Sequence, residues 1–311
     1  MTNLGDLPPE LITLIAERAD TRSRCSLRNC SKSLHEIVIN TKHVCEQIIV
    51  DHDEHKQVSI KVNDNTKCVY VAVNGGCEIQ KEQPLGDIKT FLNEESYLEV
   101  AVDDLMKVLK DPNIMVKKLQ IEGSYSRSVD IDPFITLLSQ KLTRLSHRLH
   151  VEKFTPWNLT ESDMIGILPC FEPRTLKVLD FIELRPSDRF AGIVHLEQWK
   201  KAQKLRSIVL PPMGELLHFK RVEVCAHLMG SPLVPWDELK SFIEKVMAQS
   251  EPTQFICNGF QAPNEFYGYA RDVLKMKGTD KVILKELEDG SQLVLISFYN
   301  YIEIRKSSSY Q

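Results

Sequence analysis

The first forty residues of the chain carry more apolar positions than three short helices can bury among themselves. Pro8 and Pro9 suit the first turn of a helix, where a missing N–H costs nothing, so a first helix is predicted to begin near residue 8. Its apolar residues cover more than the single stripe that a core-facing helix needs. These residues are Leu11, Ile12, Leu14, Ile15 and Ala19. Asp20 and Ser31 are predicted to cap a second and a third helix. Part of this apolar surface is therefore expected to meet a second polypeptide.

From residue 47 onward the apolar spacing changes from helical to alternating, which is typical of strands. Two alternating runs separated by the turn residues 63–65 predict a β-hairpin, and their β-branched residues are expected to share one face. These residues are Val58, Ile60, Val62, Val69, Val71 and Val73. A second turn at 74–76 extends the hairpin to a small antiparallel sheet. Helical spacing over 97–110 then predicts a helix that stops at Asp111-Pro112-Asn113.

Beyond residue 110, short apolar strands alternate with helical segments at steps of about 30 residues, the scale of stacked repeats. The predicted strands lie near 116–121, 148–151, 176–181, 205–210, 221–224 and 254–257. The helical segments lie near 133–142, 161–168, 195–203 and 237–247. This alternation favours a parallel sheet covered by helices, and we expect a solenoid arc rather than a closed sandwich. The tail is predicted to hold a helix at 264–276 and a meander of strands at 282–285, 293–296 and 301–304.

The composition is ordinary for a globular protein, since 42% of the 311 residues are hydrophobic and 26% are charged. A formal net charge of −4 gives no general field for nucleic acid or an acidic membrane, so neither is expected as a partner. No stretch approaches the roughly 20 apolar residues that span a bilayer, and no targeting leader is expected. The 8 cysteines show no zinc-like spacing, which predicts reduced thiols. These features favour the cytoplasm, the nucleus or both.

Two groups of polar residues are candidates for chemistry. Residues 51–55 read Asp-His-Asp-Glu-His, but neighbouring residues of a strand point to opposite faces, so a solvated turn is favoured and no metal site is predicted. A set of basic residues could bind a polyanion. It comprises Arg144, Arg148, Lys153, Lys200, Lys201 and Lys204. No phosphate-binding glycine loop, nucleophile elbow or zinc-binding helix motif occurs, so we expect no enzymatic activity, no catalytic residue and no cofactor.

Two motifs stand out in the first helices. They read Leu7-Pro8-x-Glu10-Leu11-Ile12 with Ile15, and Leu27-Arg28-x-Cys30 continuing to Leu34. Their order resembles an F-box, the helical module that docks substrate receptors onto the Skp-type adaptor of SCF ubiquitin ligases. The resemblance implies a set of residues that contact the adaptor or shape the interface. They are Leu7, Pro8, Leu11, Ile12, Ile15, Leu27 and Leu34. Two features depart from the pattern: residues 21–24 are polar, and Leu34 stands where F-boxes commonly have a bulky aromatic residue.

A second resemblance covers roughly residues 110–262. It rests on Leu119-x-Ile121, on the helix at 133–142 and on Glu197-Gln198-Trp199-Lys200-Lys201-Ala202 followed by a short strand. This arrangement resembles the FTH domain, which follows the F-box in a large nematode family of F-box proteins. The resemblance implies a target-facing surface without a catalytic residue, and it does not identify the residues that bind a substrate.

The predicted fold class is α/β, or α+β overall: a short three-helix F-box head followed by an irregular leucine-rich-repeat-like βα array with small antiparallel hairpins. We expect an F-box at 1–45, a linker hairpin and helix at 46–110, an FTH-type domain at 111–262 and a helix with a β-meander cap at 263–311. The resemblances imply a substrate-recognition subunit that binds a Skp-type adaptor, through it a cullin, and an unidentified target protein. A non-catalytic interaction scaffold without a role in ubiquitination, and a local polyanion binder, are the alternatives.

Overall fold

The structure is a computed structural model in two compact units, Met1–Leu176 and Lys177–Gln311. The residues that it describes are 4, 7–19, 21–53, 55–63, 66–82, 87–124, 132–181, 183–184, 190–225, 235–249, 251–258, 265–266, 269, 277–278, 282–287, 289–298 and 301–307. Both units combine helices and strands, which confirms the predicted α/β class. Within the described ranges, no helix is both long and apolar enough to cross a membrane.

Three short helices form the amino-terminal head of the first unit. They are α1 (Pro9–Arg18), α2 (Thr21–Cys30) and α3 (Lys32–Asn40). The start of α1 at a proline agrees with the prediction, because the first helical residue needs no N–H partner. The predicted cap of α3 is confirmed: the Ser31 hydroxyl accepts a hydrogen bond from the backbone N–H of Leu34 at 3.2 Å. Asp20, the predicted cap of α2, lies outside the described residues.

A mixed sheet follows the head within the first unit. Its strands are β1 (His43–Asp53), β2 (Gln57–Val62), β3 (Thr66–Val73), β4 (Gly76–Lys81), β5 (Ile88–Asn93), β6 (Ile114–Glu122) and β7 (His150–Leu159). Their spatial order is β5-β4-β3-β2-β1-β6-β7. Strands β1 to β5 pair antiparallel, whereas β1, β6 and β7 pair parallel. β1 therefore joins the antiparallel and parallel parts, and it already begins inside the range predicted for the F-box.

Helices connect and cover the strands of this unit. They are α4 (Tyr97–Leu109), α5 (Pro133–Leu142) and α6 (Glu161–Ile167), the last followed by a 3-10 turn at Leu168–Cys170. α4 packs on β2, β3 and β4 and contacts α5. Its inward residues recur at helical spacing and are buried, as the pattern over 97–110 predicts. They are Ala101, Val102, Leu105 and Leu109.

The predicted shared face of the first hairpin is wrong for its second strand. Val58 lies opposite Tyr70, and both side chains are buried beneath α4, whereas Val69 lies opposite Ser59 on the other face of the sheet. Cross-strand partners share a face and successive residues alternate, so Val71 lies on the same face as Val69. The turn length fixes this register, and alternation alone could not choose between the two faces of β3.

The second unit repeats the parallel pattern. Its elements are β8 (Val178–Phe181), β9 (Glu183–Leu184), α7 (Glu197–Lys201), β10 (Lys204–Ser207), β11 (Arg221–Cys225), α8 (Trp236–Ala248), β12 (Thr253–Asn258), β13 (Lys277–Gly278), β14 (Val282–Glu286), β15 (Gln292–Phe298) and β16 (Tyr301–Ser307). Strands β8, β10, β11 and β12 pair parallel in that order. The predicted meander is confirmed, because β14, β15 and β16 pair antiparallel and β16 continues onto β12.

An aromatic cluster forms part of the core of the second unit. The Trp199 ring is fully buried, and its centroid lies 5.1 Å from that of Phe219 and 5.7 Å from that of Phe190. The Trp199 side chain, which lies in the segment that carries the FTH resemblance, therefore belongs to the core of the second unit. Most of the helix predicted at 264–276 lies outside the described residues.

Candidate protein-docking site

The first helix of the head is apolar on two faces. Ile12 and Ala16 point inward and are buried, while three large apolar side chains remain exposed on the other side. These are Leu11, Leu14 and Ile15, whose exposed fractions are 47%, 43% and 38%. Positions i, i+3 and i+4 of a helix form one continuous patch, so these three side chains lie together. We call them the α1 patch. A contiguous apolar patch of this kind marks an interaction surface.

An open groove runs beside the α1 patch, between α1 and α2. It has a volume of about 780 Å³. Its walls combine apolar residues with the small hydroxyl side chains of α2. They are Leu14, Ile15, Arg18, Ala19, Ser23, Ser26, Leu27 and Cys30. Two members of the α1 patch thus also line a concavity, which is the shape that accepts an apolar side chain from another protein.

A buried arginine holds the three helices of the head together. The Arg24 guanidinium, almost completely buried, donates hydrogen bonds to the carbonyl oxygens of Ala16 at 2.6 Å, Val38 at 2.8 Å and Thr41 at 2.6 Å. Ala16 and Val38 lie in the last turns of α1 and α3, and Thr41 directly follows α3; at helix ends carbonyl groups lack their regular intrahelical partners. Arg24 therefore satisfies the ends of two helices from the third, and the polar start of α2 serves the interior of the head.

The head is fastened to the loop between α4 and β6. The Arg28 guanidinium lies 3.5 Å from the Asp111 carboxylate, which is buried, and the Asn113 side chain donates to the Ile39 carbonyl oxygen. The backbone N–H of His43 donates to the Asn113 carbonyl oxygen at 3.2 Å, and β1 then runs parallel to β6. The head that carries the α1 patch is thus joined to the sheet through α3, which leads into β1.

His43 lies buried at this junction. Neither of its ring nitrogens has a hydrogen-bond partner among the described residues. Burial lowers the pKa of His43 to about 4, and the charges of Arg24 and Arg28 act in the same direction, whereas Asp111 opposes them. The imidazole is therefore neutral at physiological pH, and its protonation would place a third positive charge inside the junction.

The residues implied by the F-box resemblance fall into two groups. Leu11 and Ile15 are exposed with Pro8, and Leu7 and Leu27 are half-buried. Ile12 and Leu34 are buried, so their part in any interface is to shape it from beneath. Contact of this set with an adaptor stays a prediction. Leu14 was one of the apolar positions of the first predicted helix, but the set implied by the F-box resemblance did not include it. Its position three residues after Leu11 was the signal that places it in the patch.

The acidic and histidine-rich segment at 51–55 is not simply a solvated turn. His52 is buried near the end of β1, and its Nδ1 lies 2.8 Å from Oδ1 of Asp132. Asp132 also caps α5 by accepting from the backbone N–H groups of Phe134 and Ile135. Burial raises the pKa of Asp132, but the bonds from His52 and the backbone outweigh it and hold that pKa below its usual value. Sequence distance hid this pair, which joins β1 to α5.

No metal site emerges from the described part of the chain, where no group of three or more acidic, histidine or cysteine side chains is placed to hold an ion. The residues of the suggested polyanion site divide between the units. Arg144, Arg148 and Lys153 lie in the first unit, whereas Lys200, Lys201 and Lys204 lie in the second.

Comparison with known families agrees with the two resemblances. The F-box domain model matches residues 4–43, which contain all three helices of the head and the α1 patch. The FTH domain model matches residues 132–229, from the Asp132 cap to just beyond β11. The chain thus combines an F-box domain with an FTH domain, as the sequence predicted.

The chain is also similar to a curated nematode protein, F-box A protein 224 of Caenorhabditis elegans. The two are 22% identical over 228 residues, which cover 71% of this chain and 59% of that relative. The match therefore spans little more than half of the relative's length.

Proposed function

We propose that this protein is a substrate-recognition subunit of an SCF-type ubiquitin ligase. In this proposal the head binds a Skp-type adaptor, and through it a cullin, while the structure behind the head binds a target protein. The observation that carries the proposal is the α1 patch: three large apolar side chains exposed together beside a groove, within the segment that matches the F-box model.

The size of the patch is consistent with a protein interface. Complete burial of a Leu or Ile side chain contributes about 1.5–3 kcal/mol, and residues that are already half covered contribute roughly half as much. Leu11, Leu14 and Ile15 together would then supply about 3 kcal/mol or more on docking, which is the contribution of a hot spot.

The proposed activity needs no acid, base or nucleophile from this chain. A receptor that holds a target lysine near an activated thioester raises the effective concentration of the two reactants, which alone accelerates the transfer. This agrees with the F-box match, since F-box proteins are typically non-catalytic adaptors. We also propose the cytoplasm, the nucleus or both as its location, which imaging of a tagged full-length chain would test.

A pull-down with a purified Skp-type adaptor tests the docking step. The double variant Leu11→Asp/Ile15→Asp places two carboxylates in the exposed patch, and we expect it to recover less than about a tenth of the adaptor that wild type recovers. Ile12 is unsuitable for this test because it is buried and an aspartate there would unfold the head. Ile165→Asp, at a similarly exposed position on α6, is the matched control and should bind normally. Equal recovery by wild type and the double variant would remove the proposal.

The alternative is a scaffold that bridges proteins without ubiquitination. It is favoured by the hydroxyl side chains Ser23 and Ser26 on the groove wall of α2, where an apolar residue would strengthen docking. Reconstitution with adaptor, cullin and conjugating enzyme separates the two: a scaffold binds the adaptor but yields no ubiquitinated product dependent on Leu11 and Ile15.

A further inference from the structure

The fifth strand of the first unit is an edge strand without the usual protection against pairing. β5 pairs with β4 on one side and ends the sheet in the part of the chain that the structure describes. It contains no proline and exposes two large apolar side chains, Phe91 at 54% and Ile88 at 47%. The Nζ atom of its lysine, Lys89, lies 3.0 Å from a carboxylate oxygen of Glu78 on β4. The Lys89 charge is therefore neutralised within the sheet and does not prevent another strand from pairing with β5. Edge strands that must stay unpaired normally carry such guards.

The outer backbone groups of β5 are available for a further strand. The N–H of Glu94 donates to the carbonyl oxygen of Gly75 at 2.7 Å, which sets the phase of the antiparallel ladder. Opposed residues alternate between bonded and non-bonded pairs, so the even-numbered residues of β5 bond to β4. The odd-numbered residues Lys89, Phe91 and Asn93 turn their N–H and C=O groups outward. These groups can form main-chain hydrogen bonds with an added strand.

The two faces of β5 present different surfaces to such a strand. Phe91 lies opposite Glu78 on the face away from α4. Ile88 and Leu92 lie on the face that α4 covers, since Leu92 is opposite the buried Cys77. Side chains of an added strand would alternate between these faces in the same way. One set would contact Phe91, and the other would enter the space beside α4.

That space is a groove of about 540 Å³ between α4 and the β4–β5 edge. Its apolar residues are Ile79, Leu92, Val100 and Met106, and its charged residues are Glu95, Glu99, Asp103, Asp104, Lys107 and Lys110. Lys141 pairs with Asp103, and Lys107 with Asp104. Glu95 and Glu99 are exposed, and their carboxylates form no hydrogen bond or ion pair with a described residue. They lie where β5 leads into α4, so this end of the groove is acidic above an apolar floor.

We propose that the β5 edge and this groove bind an extended segment of the target protein in which Lys or Arg alternates with apolar residues. The backbone of the segment pairs with β5, and its apolar residues contact Phe91. Its basic residues lay their aliphatic stems on the groove floor, and their cations reach Glu95 and Glu99. The proposal rests on the proposed function, because it names the surface and the chemistry by which the receptor would hold its target.

A labelled decapeptide of alternating lysine and valine, blocked at both ends, is the probe. Fluorescence anisotropy with the full chain should show binding that weakens as salt is added, and a glutamate–valine peptide should not bind. Phe91→Pro removes one outward N–H and the phenyl ring without removing a bond to β4, and the loss of this edge hydrogen bond together with the apolar contact should weaken binding about tenfold or more. Glu95→Gln/Glu99→Gln should weaken it similarly and flatten the salt dependence. Ile165→Thr, away from the edge, should bind like wild type.

Equal affinity of wild type and the glutamine double variant, or equal binding of the two peptides, would overturn the proposal. The glutamine variant is isosteric, so the test stands even if Phe91→Pro disturbs the strand. A concentration-dependent dimer that Phe91→Pro abolishes would show that the occupant is a second copy of this chain, and the proposal would fail. The adaptor-defective variant Leu11→Asp/Ile15→Asp should bind the peptide normally, so a failure here is distinguishable from a failure of adaptor docking.

Discussion

Protonation of His43 is expected to weaken the fold at the junction between the head and the sheet. The variant that isolates this effect is His43→Leu, which keeps a similar volume and loses no hydrogen bond to a described residue. At pH 7.5 the free energy of unfolding of the variant should differ from that of wild type by less than about 1.5 kcal/mol, as for other volume-conserving core substitutions. The informative comparison is the difference between the two proteins as the pH falls.

The sign and size of the effect follow from the lowered pKa of His43. The unfolded chain takes up a proton near pH 6.5, whereas the folded chain resists it until about pH 4. The contribution of neutral His43 is therefore fully present above pH 6.5 and is lost as the pH falls from 6.5 to 4. The difference between these two pKa values lowers the free energy of unfolding of wild type by about 2 kcal/mol at pH 5 and by about 3 kcal/mol at pH 4.

Urea unfolding at closely spaced pH values, followed by circular dichroism, would measure this difference. Carboxylates with a lowered pKa, such as Asp132, act at lower pH and are shared by wild type and variant. His43→Leu should remove the part of the decrease in unfolding free energy between pH 6.5 and 4 that is caused by protonation of His43. Parallel stability profiles for the two proteins across this range would refute the reasoning, because His43 would then not be held neutral by its surroundings.

Three further substitutions test the contacts that hold the first unit together. Arg24→Met removes the guanidinium hydrogen bonds to three carbonyl oxygens inside the head and should cost about 3 kcal/mol or more in urea unfolding, with faster proteolysis of the head. Ser31→Ala removes the cap of α3 and should cost about 1 kcal/mol, whereas Ser31→Asp should retain most of the stability. Asp132→Ala removes both the cap of α5 and the partner of buried His52, which should cost about 2–4 kcal/mol, and a loss below about 1 kcal/mol would contradict the assigned pairing.

Local signals predicted most of the secondary structure. The turn residues, caps and spacing placed α4, α5 and the parallel strands close to their observed positions, because such signals act over a few residues. The sequence predicted the wrong buried face for β3. Its three valines alternate with Cys68, Tyr70 and Ala72, and either set could have been buried. The larger tyrosine, bonded to Asp104 at 2.7 Å, occupies the core side.

The long-range polar contacts could not be predicted in the same way. Arg24 looked like part of an unusually polar α2, yet its guanidinium serves carbonyls that lie 8 to 17 residues away in sequence. His52 and Asp132 are 80 residues apart and become neighbours only when β1 meets the start of α5. Neither pairing leaves a periodic trace, because a single side chain carries each of them. The α1 patch, in contrast, was visible as an excess of apolar positions along one short helix.

The passage from α3 into β1 through only Thr41 and Lys42 has a mechanical consequence. Helix α3 leads almost directly into β1, which pairs with β2 on one side and β6 on the other. No flexible linker therefore separates the head from the sheet. A target held on β5, in the same compact unit, would keep a constant separation from the adaptor surface. In such a receptor, the distance of each target lysine from the docked segment would determine which lysines accept ubiquitin.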